Sequence, residues 1–390
     1  MKKDIKVGVI GAGFIGPAHI EALRRLGIEV VAIAASTQES AERSAQNFLV
    51  PKAYGHWEDL LNDPEIDVVH ITSPNYLHFP QAKRALERGK HVLCEKPLAV
   101  STIESAELVS LASEKKLANA VCYNLRFYPL VQESKARIAD DELGEKIHII
   151  HGCYLQDWLL LESDWNWRLD PELGGKLRAI ADIGSHWMDL VTFVTGTRIT
   201  SVFADLATFI PFRRKPIADN PTFKGKKGES TDYKSVNVKT EDYATLLFAF
   251  ENGARGVVTV SQISSGRKNR VFFEISGSKS SLVWNSESPN QLLIGHRKEP
   301  NQFLIKDPSL MKEASRWTAS YPGGHAEGYP DTFKQFFKAF YGYIYEGNFD
   351  RKPDFPTFKD GHNMLLVEEA ILKSTKENRW IDVAYSENTL

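Results

Sequence analysis

Asp182-Ile183-Gly184-Ser185-His186 sets a carboxylate and an imidazole four residues apart, a spacing that brings both to one face of a helix. Far upstream, Cys94-Glu95-Lys96-Pro97 places an ammonium at the end of a strand-like run. A Lys, an Asp and a His gathered at one point suit the oxidation of a secondary alcohol. An imidazole titrates near neutral pH and can take the hydroxyl proton as the carbonyl forms. A lysine ammonium can hold the oxygen and stabilise charge developing on it, and a carboxylate can orient the imidazole or bind a neighbouring hydroxyl. Taken singly, each has a plain structural use: a satisfied helix histidine, a surface lysine, a helix-capping aspartate. Such chemistry also leaves a hydride that something must accept.

A place for that acceptor stands near the N-terminus. Gly11-Ala12-Gly13-Phe14-Ile15-Gly16 follows the β-branched run Ile5 to Ile10 and opens a stretch of helical apolar spacing, Ile15 to Leu26. In such a loop the first glycine permits a tight turn, the second lets the backbone approach a pyrophosphate, and the third lets helix and strand pack closely. The helix start then offers free N–H groups and its positive dipole end to the phosphates. The motif predicts a nicotinamide dinucleotide, NAD or NADP. A residue gripping the ribose 2′-hydroxyl is expected ~20 residues on. There the second strand, Glu29 to Ala35, runs into Ser36 and Thr37 with no carboxylate at its tip, so the choice between NAD and NADP stays open. Ser36 and Glu39 also have the spacing of a helix capping box.

The elements that must position these groups fall into two textures. Up to Tyr123, strand patterns (Asp67–Thr72, His91–Cys94, Ala118–Tyr123) alternate with helix patterns (Glu39–Phe48, Tyr76–Glu87, Thr102–Lys115). That alternation predicts βαβ units, a parallel sheet and a ligand site at the carboxyl ends of its strands. Beyond Tyr128, strand-like runs at 147–158, 200–208, 243–250, 254–262, 270–276 and 281–285 succeed one another with few helices, and Asn252-Gly253 reads as a hairpin turn. The fold class expected is an α/β N-terminal Rossmann domain over 1–124, followed by an α+β C-terminal domain over 125–390 with an open, mostly antiparallel sheet. Arg213 to Tyr233, rich in Lys, Gly and Pro, reads as a solvated surface loop, and two helices, 331–345 and 363–376, close the chain.

Composition removes other classes. Lys plus Arg is 48 against 50 for Asp plus Glu, and no long basic run occurs, so nucleic acid is not an expected partner. No apolar run approaches the ~20 residues of a membrane span. Cys94, Cys122 and Cys153 stand far apart without a CxxC, which predicts no disulfide framework, no metal site and a cytoplasmic setting.

The glycine loop, Ser73-Pro74-Asn75-Tyr76-Leu77-His78, Glu95-Lys96-Pro97, Tyr123-Asn124-Leu125-Arg126-Phe127-Tyr128-Pro129 and Asp182 to His186 together resemble the Gfo/Idh/MocA oxidoreductases over nearly the whole chain. The resemblance implies that Lys96 lies by the nicotinamide and the reacting oxygen, that His186 is the acid/base, and that Asp182 binds substrate or assists. It implies that Ser73, Asn75, His78 and Glu95 line the cofactor side, that Tyr123 and Arg126 reach the substrate, and that the Lys96–Pro97 bond is cis. It further implies a sugar or cyclitol substrate and a homodimer or homotetramer formed through the open sheet. Some enzymes of this kind retain their nicotinamide and give net hydrolysis, elimination or isomerisation; that, and a non-catalytic nucleotide sensor, are the alternative readings. This chain departs from the pattern at the tip of the second strand, in Gly174 to Ala181, where Lys176 and Arg178 could alter the pocket, and in the 213–233 loop. Other candidate substrate groups are Trp158, Trp165, Trp167 and Arg168, since indole stacks on sugar C–H faces and Arg bridges hydroxyls. Tyr154 and Gln156 share one sheet face, and His325 sits in a glycine-rich loop.

Overall fold

The computed structural model describes residues 4–217 and 232–385. Six strands form a parallel sheet: β1 (Lys6–Ile10), β2 (Glu29–Ala34), β3 (Lys52–Tyr54), β4 (Val68–Ile71), β5 (His91–Cys94) and β6 (Asn119–Val121), in the order β3-β2-β1-β4-β5-β6. Helices α1 (Ile15–Arg25), α2 (Gln38–Asn47), α3 (Trp57–Asn62), α4 (His78–Glu87) and α5 (Thr102–Lys115) connect them. Val7, Val9, Val68, Val69, Val92 and Leu93 are all buried, because a parallel sheet is covered on both faces and its strands read as continuous apolar runs. The order reverses between β1 and β4, and a crevice opens at the carboxyl ends on either side of such a reversal. β3 and α3 are too short to show a period in the sequence. Thr37, not Ser36, caps α2, its hydroxyl accepting from the Ser40 N–H at 3.2 Å.

Next comes α6 (Pro129–Ala139), with proline at its first turn, where the missing N–H costs nothing. A second sheet of nine strands has the order β16-β15-β14-β13-β7-β12-β11-β8-β17. Its members are β7 (Ile147–Leu155), β8 (Ile199–Ala207), β11 (Tyr243–Phe250), β12 (Arg255–Ser261), β13 (Arg270–Gly277), β14 (Ser280–Asn285), β15 (Gln291–His296), β16 (Gln302–Ile305) and β17 (Ile381–Asp382). Only β7 and β12 pair in parallel, so the sheet is mixed and mostly antiparallel. β11 and β12 form the hairpin that Asn252-Gly253 predicts, with Gly253 at φ +88°.

The segment expected as a solvated loop is partly strand. β9 (Phe212–Pro216) and β10 (Tyr233–Asn237) form an antiparallel ribbon, and Arg213 is buried in ion pairing with Asp242; residues 218–231 of that segment lie outside the described residues. Between β7 and β8 lie α7 (Pro171–Gly174), a wide π-helical turn at Ile180–Gly184, and α8 (Ser185–Thr195). After α9 (Glu313–Arg316), the long α10 (Tyr329–Glu346) returns to the first sheet, where Phe333, Phe336, Phe337 and Phe340 share a core with Val7, Val9 and Ile20. α11 (Phe358–Glu377), started by a Thr357–Asp360 capping box, packs against α5 and β8. Among the described residues no helix is long and apolar enough to cross a membrane.

Candidate active site

The carboxyl ends of β1, β2, β4 and β5 open onto one cleft of about 460 Å³. Its middle is the glycine loop. Gly11 sits at φ +109°, and a Cβ there would lie 2.7 Å from the Thr72 carbonyl. A Cβ on Gly16 would lie 2.2 Å from the Gly11 oxygen, whereas one on Gly13 would meet nothing within 4 Å. Gly11 therefore serves the turn, Gly16 the close packing of α1, and Gly13 leaves its backbone open to the cleft beside Phe14 and Ile15. No acidic residue occupies the first turn of α1, so its N–H groups and positive end stay available to an anion. This lining fits a dinucleotide pyrophosphate. At the β2 end the walls are Ser36, Ser40 and Trp57. Glu39, the nearest carboxylate in sequence, is exposed and paired with Arg43. Thr37 spends its hydroxyl on the α2 cap.

At the opposite end lie Asn75, His78, Glu95, Lys96, Trp167 and Arg168. The Lys96–Pro97 bond is cis. The Lys96 Nζ donates to the Asp182 carbonyl at 2.7 Å and to Asp182 Oδ1 at 3.0 Å. The same Oδ1 accepts from Arg168 Nε at 3.0 Å, and Oδ2 accepts from Gln262 Nε2 at 2.8 Å. Burial alone would raise the Asp182 pKa, but Arg168 and Lys96 outweigh it and hold the carboxyl well below the usual carboxylate range. The Arg168 guanidinium lies 4.4 Å from the Trp167 ring centre, a cation–π arrangement.

His186 stands one turn on from Asp182, at the start of α8. It is buried, its Nδ1 has no hydrogen-bond partner among the described residues, and its ring stands nearly perpendicular to that of Tyr123, with 5.6 Å between ring centres. Burial first, and the Lys96 charge second, push its pKa down to about 3, against the weaker pull of Glu95 and Asp182. The imidazole is thus neutral at physiological pH and keeps one ring nitrogen unprotonated. Asp182 and His186 belong to a π turn running into an α-helix rather than to one regular helix. That turn is anchored by Glu241, whose Oε1 accepts from the N–H groups of Arg178 at 2.8 Å and Ile180 at 2.9 Å. Arg178 is fully buried against Asp242 and so supports the turn from behind; Lys176 borders a separate, smaller hollow.

On the cofactor side, the Asn75 amide donates to the Gly174 carbonyl at 2.9 Å. The His78 ring lies between the carbonyls of Pro97 (2.6 Å) and Ser73 (2.9 Å), and Ser73 Oγ donates to Gln81 at 2.6 Å. These side chains shape the wall by holding backbone in place.

Four expected substrate groups lie elsewhere. Arg126 is buried and spent: its Nε donates to Asp189 at 2.8 Å, and its Nη2 bonds both Asp189 and Asp360. Tyr123 is fully buried behind His186. Trp158 donates to Gln156 at 2.8 Å and packs with Leu159, Leu169 and Val238 in a satellite cluster. His325 is exposed on its own turn, its Nδ1 3.3 Å from the Gly323 carbonyl. Conversely, no local motif in the sequence marks Gln262, Trp57, Ser40 or Glu241. Gln262 closes a strand-like run, but nothing local says that it reaches Asp182, 80 residues away.

Residues 5–123 match the profile of the oxidoreductase family with NAD-binding Rossmann fold, and residues 131–283 match the GFO/IDH/MocA C-terminal domain. The chain is 30% identical to the levoglucosan dehydrogenase of Pseudarthrobacter phenanthrenivorans over 98% of both proteins. A solved levoglucosan dehydrogenase in complex with NADH and levoglucosan superposes with a TM-score of 0.86 at 29% identity, covering 98% of this chain and all of that one. An inositol dehydrogenase homologue from Azotobacter vinelandii, complexed with NAD+, gives 0.85 at 25% identity over 97% of each chain.

Proposed function

From the premise that this chain belongs to the Gfo/Idh/MocA family of NAD-binding oxidoreductases, we propose that it moves a hydride between the nicotinamide and a secondary hydroxyl or ketone of a sugar, glycoside or cyclitol, with His186 as acid/base and Lys96 holding the reacting oxygen. The observation that carries this reading is the Lys96 ammonium fixed on Asp182 at the end of the glycine-loop cleft. The relative aligned end to end carries a compact sugar in its name, which supports the substrate class.

When bound, the nicotinamide supplies the hydride acceptor. The protein residues do the rest. An ammonium has three N–H donors; Lys96 gives two to Asp182, and the third holds the reacting oxygen as charge builds on it. His186, neutral and shielded from water, takes the hydroxyl proton on a ring nitrogen and returns it in reduction. Asp182 neutralises Lys96 and Arg168 and fixes their direction. Trp167 gives a sugar C–H face an indole surface, and the guanidinium N–H groups that Arg168 keeps free bridge neighbouring hydroxyls.

The open face of the second sheet supports self-association. The strand registers put Ile149, Leu247 and Phe303 on one face, and all three are exposed, so a homodimer or homotetramer would cover that apolar surface. Three free thiols are consistent with a reducing cytoplasm.

The test is near-ultraviolet nicotinamide absorbance with NAD or NADP and a panel of sugars, anhydrosugars and cyclitols. Turnover is expected with at least one, falling by a factor of roughly 10² or more in Lys96→Ala and His186→Ala. Rates unchanged in both variants would sink the assignment of roles.

A further inference from the structure

Behind the cleft runs a file of buried polar groups that the hydride-transfer scheme does not use. The Tyr341 hydroxyl lies 2.9 Å from His70 Nε2, His70 Nδ1 lies 2.9 Å from His19 Nδ1, and His19 Nε2 lies 3.1 Å from Glu95 Oε1. All four residues are buried, and the two imidazoles are packed among Phe333 and Phe337. The file joins three elements far apart in sequence, α1, β4 and α10, to the tip of β5.

The order of donors follows from elementary bonding. A carboxylate only accepts, so His19 donates from Nε2. A neutral imidazole carries one N–H, so His19 Nδ1 accepts and His70 Nδ1 donates. His70 Nε2 then accepts and the Tyr341 hydroxyl donates. Every bond has one donor and one acceptor, and the direction of the whole file ends on Glu95. Its other oxygen accepts from the Lys96 N–H at 3.3 Å. Burial works to raise the Glu95 pKa, but the hydrogen bond that His19 donates, with the Lys96 charge beyond, holds it below the usual carboxylate range. The neighbouring thiols of Cys94 and Cys122 are pushed up by burial and stay neutral. Glu95 also lines the cleft, at the end away from Ser36 and Trp57. In a Rossmann cleft the adenosine lies at the β2 tip and the pyrophosphate on the glycine loop, so the nicotinamide falls at the Glu95 end.

We propose that Glu95, fixed as an anion by the Tyr341–His70–His19 file, makes the protein favour the oxidised dinucleotide, whose nicotinamide ring is a cation, over the reduced one, whose ring is neutral. The inference rests on the cofactor reading above. Lys96, Arg168 and Asp182 also face that end, but two cations and one anion there leave Glu95 as the charge that balances them. Removing it leaves a net positive end that opposes the oxidised ring.

The experiment measures dissociation constants of NAD+ and of NADH, by calorimetry at pH 8, for the full chain and for Glu95→Gln, Glu95→Asp and Tyr341→Phe, each checked for native circular dichroism. A charge interaction of this kind in a partly enclosed site is worth about tenfold. The ratio of the NAD+ constant to the NADH constant is therefore expected to rise about tenfold in Glu95→Gln and to stay near native in Glu95→Asp. It should rise about two- to threefold in Tyr341→Phe, which leaves Glu95 in place but removes the last donor of the file. Equal weakening of both nucleotides in Glu95→Gln, which a merely structural role would give, overturns the proposal, as does an unchanged ratio. Should Glu95→Gln fail to fold, an unchanged ratio in Tyr341→Phe overturns it. A native chain that binds neither nucleotide refutes the cofactor reading itself.

Discussion

A neutral, deeply buried His186 has a sharp kinetic consequence. In the free enzyme, kcat/KM for alcohol oxidation requires the unprotonated imidazole, and its pH profile reports that group. An ordinary histidine near 6.5 would be only about 3% neutral at pH 5, and the oxidation rate constant would have fallen about thirtyfold from its plateau. With burial and the Lys96 charge holding His186 at about 3, the imidazole is about 99% neutral at pH 5, and kcat/KM stays flat from there to pH 8. Reduction needs the imidazolium, so its kcat/KM should fall about tenfold for each unit of pH across the whole range, with no plateau below 6.5. The two slopes agree with the proton released in the overall reaction. The assay is kcat/KM in both directions from pH 5 to 8 with the best substrate found. An acid limb of unit slope in oxidation, breaking between 6 and 7, would refute the reasoning. It would mean that the site is far wetter than its packing indicates, or that His186 is not the base.

Two more outcomes follow from packing. Gly13→Val should fold with native stability, because nothing lies within 4 Å of a Cβ there, yet lose dinucleotide binding measured by calorimetry; Gly16→Ala, whose Cβ would meet the Gly11 oxygen at 2.2 Å, should lower the melting temperature itself. Glu368 is buried with Oε1 unpartnered, and burial, helped by Glu241 and opposed by Lys96, pushes it up to about 8. A carboxyl raised this way contributes stability that is present below its unfolded pKa and is lost as pH rises toward 8. Glu368→Gln should therefore match the native chain at pH 4 and exceed it by roughly 2–4 kcal/mol at pH 8 in denaturant unfolding.

What could be read from the sequence divides by how local each requirement is. The glycine loop was legible because its three demands, a turn, a close approach and a tight packing contact, are met within six residues and by contacts that only glycine permits. The parallel sheet was legible from buried apolar strands alternating with helices. The β9–β10 ribbon was not, because its strands read FRRKP and YKSVN and charge masks the alternation. The spacing of Asp182 and His186 was legible, but not the π turn, which depends on the carboxylate of Glu241 some 60 residues downstream.

The arginines make the point most sharply. Arg126 and Arg168 each stand beside an aromatic residue in a candidate motif, and nothing in either neighbourhood tells them apart. Arg126 is excluded from the cleft because Asp189 and Asp360, 63 and 234 residues away, take up its Nε and Nη2. Arg168 stays at the cleft because its Nε partner, Asp182, is itself a site residue, so the same bond that anchors the guanidinium aims it at the place where a substrate would lie. Whether an arginine is structural or functional is thus decided by where its acceptors sit in the fold. The sequence supplies the candidates, and the long-range carboxylates choose among them.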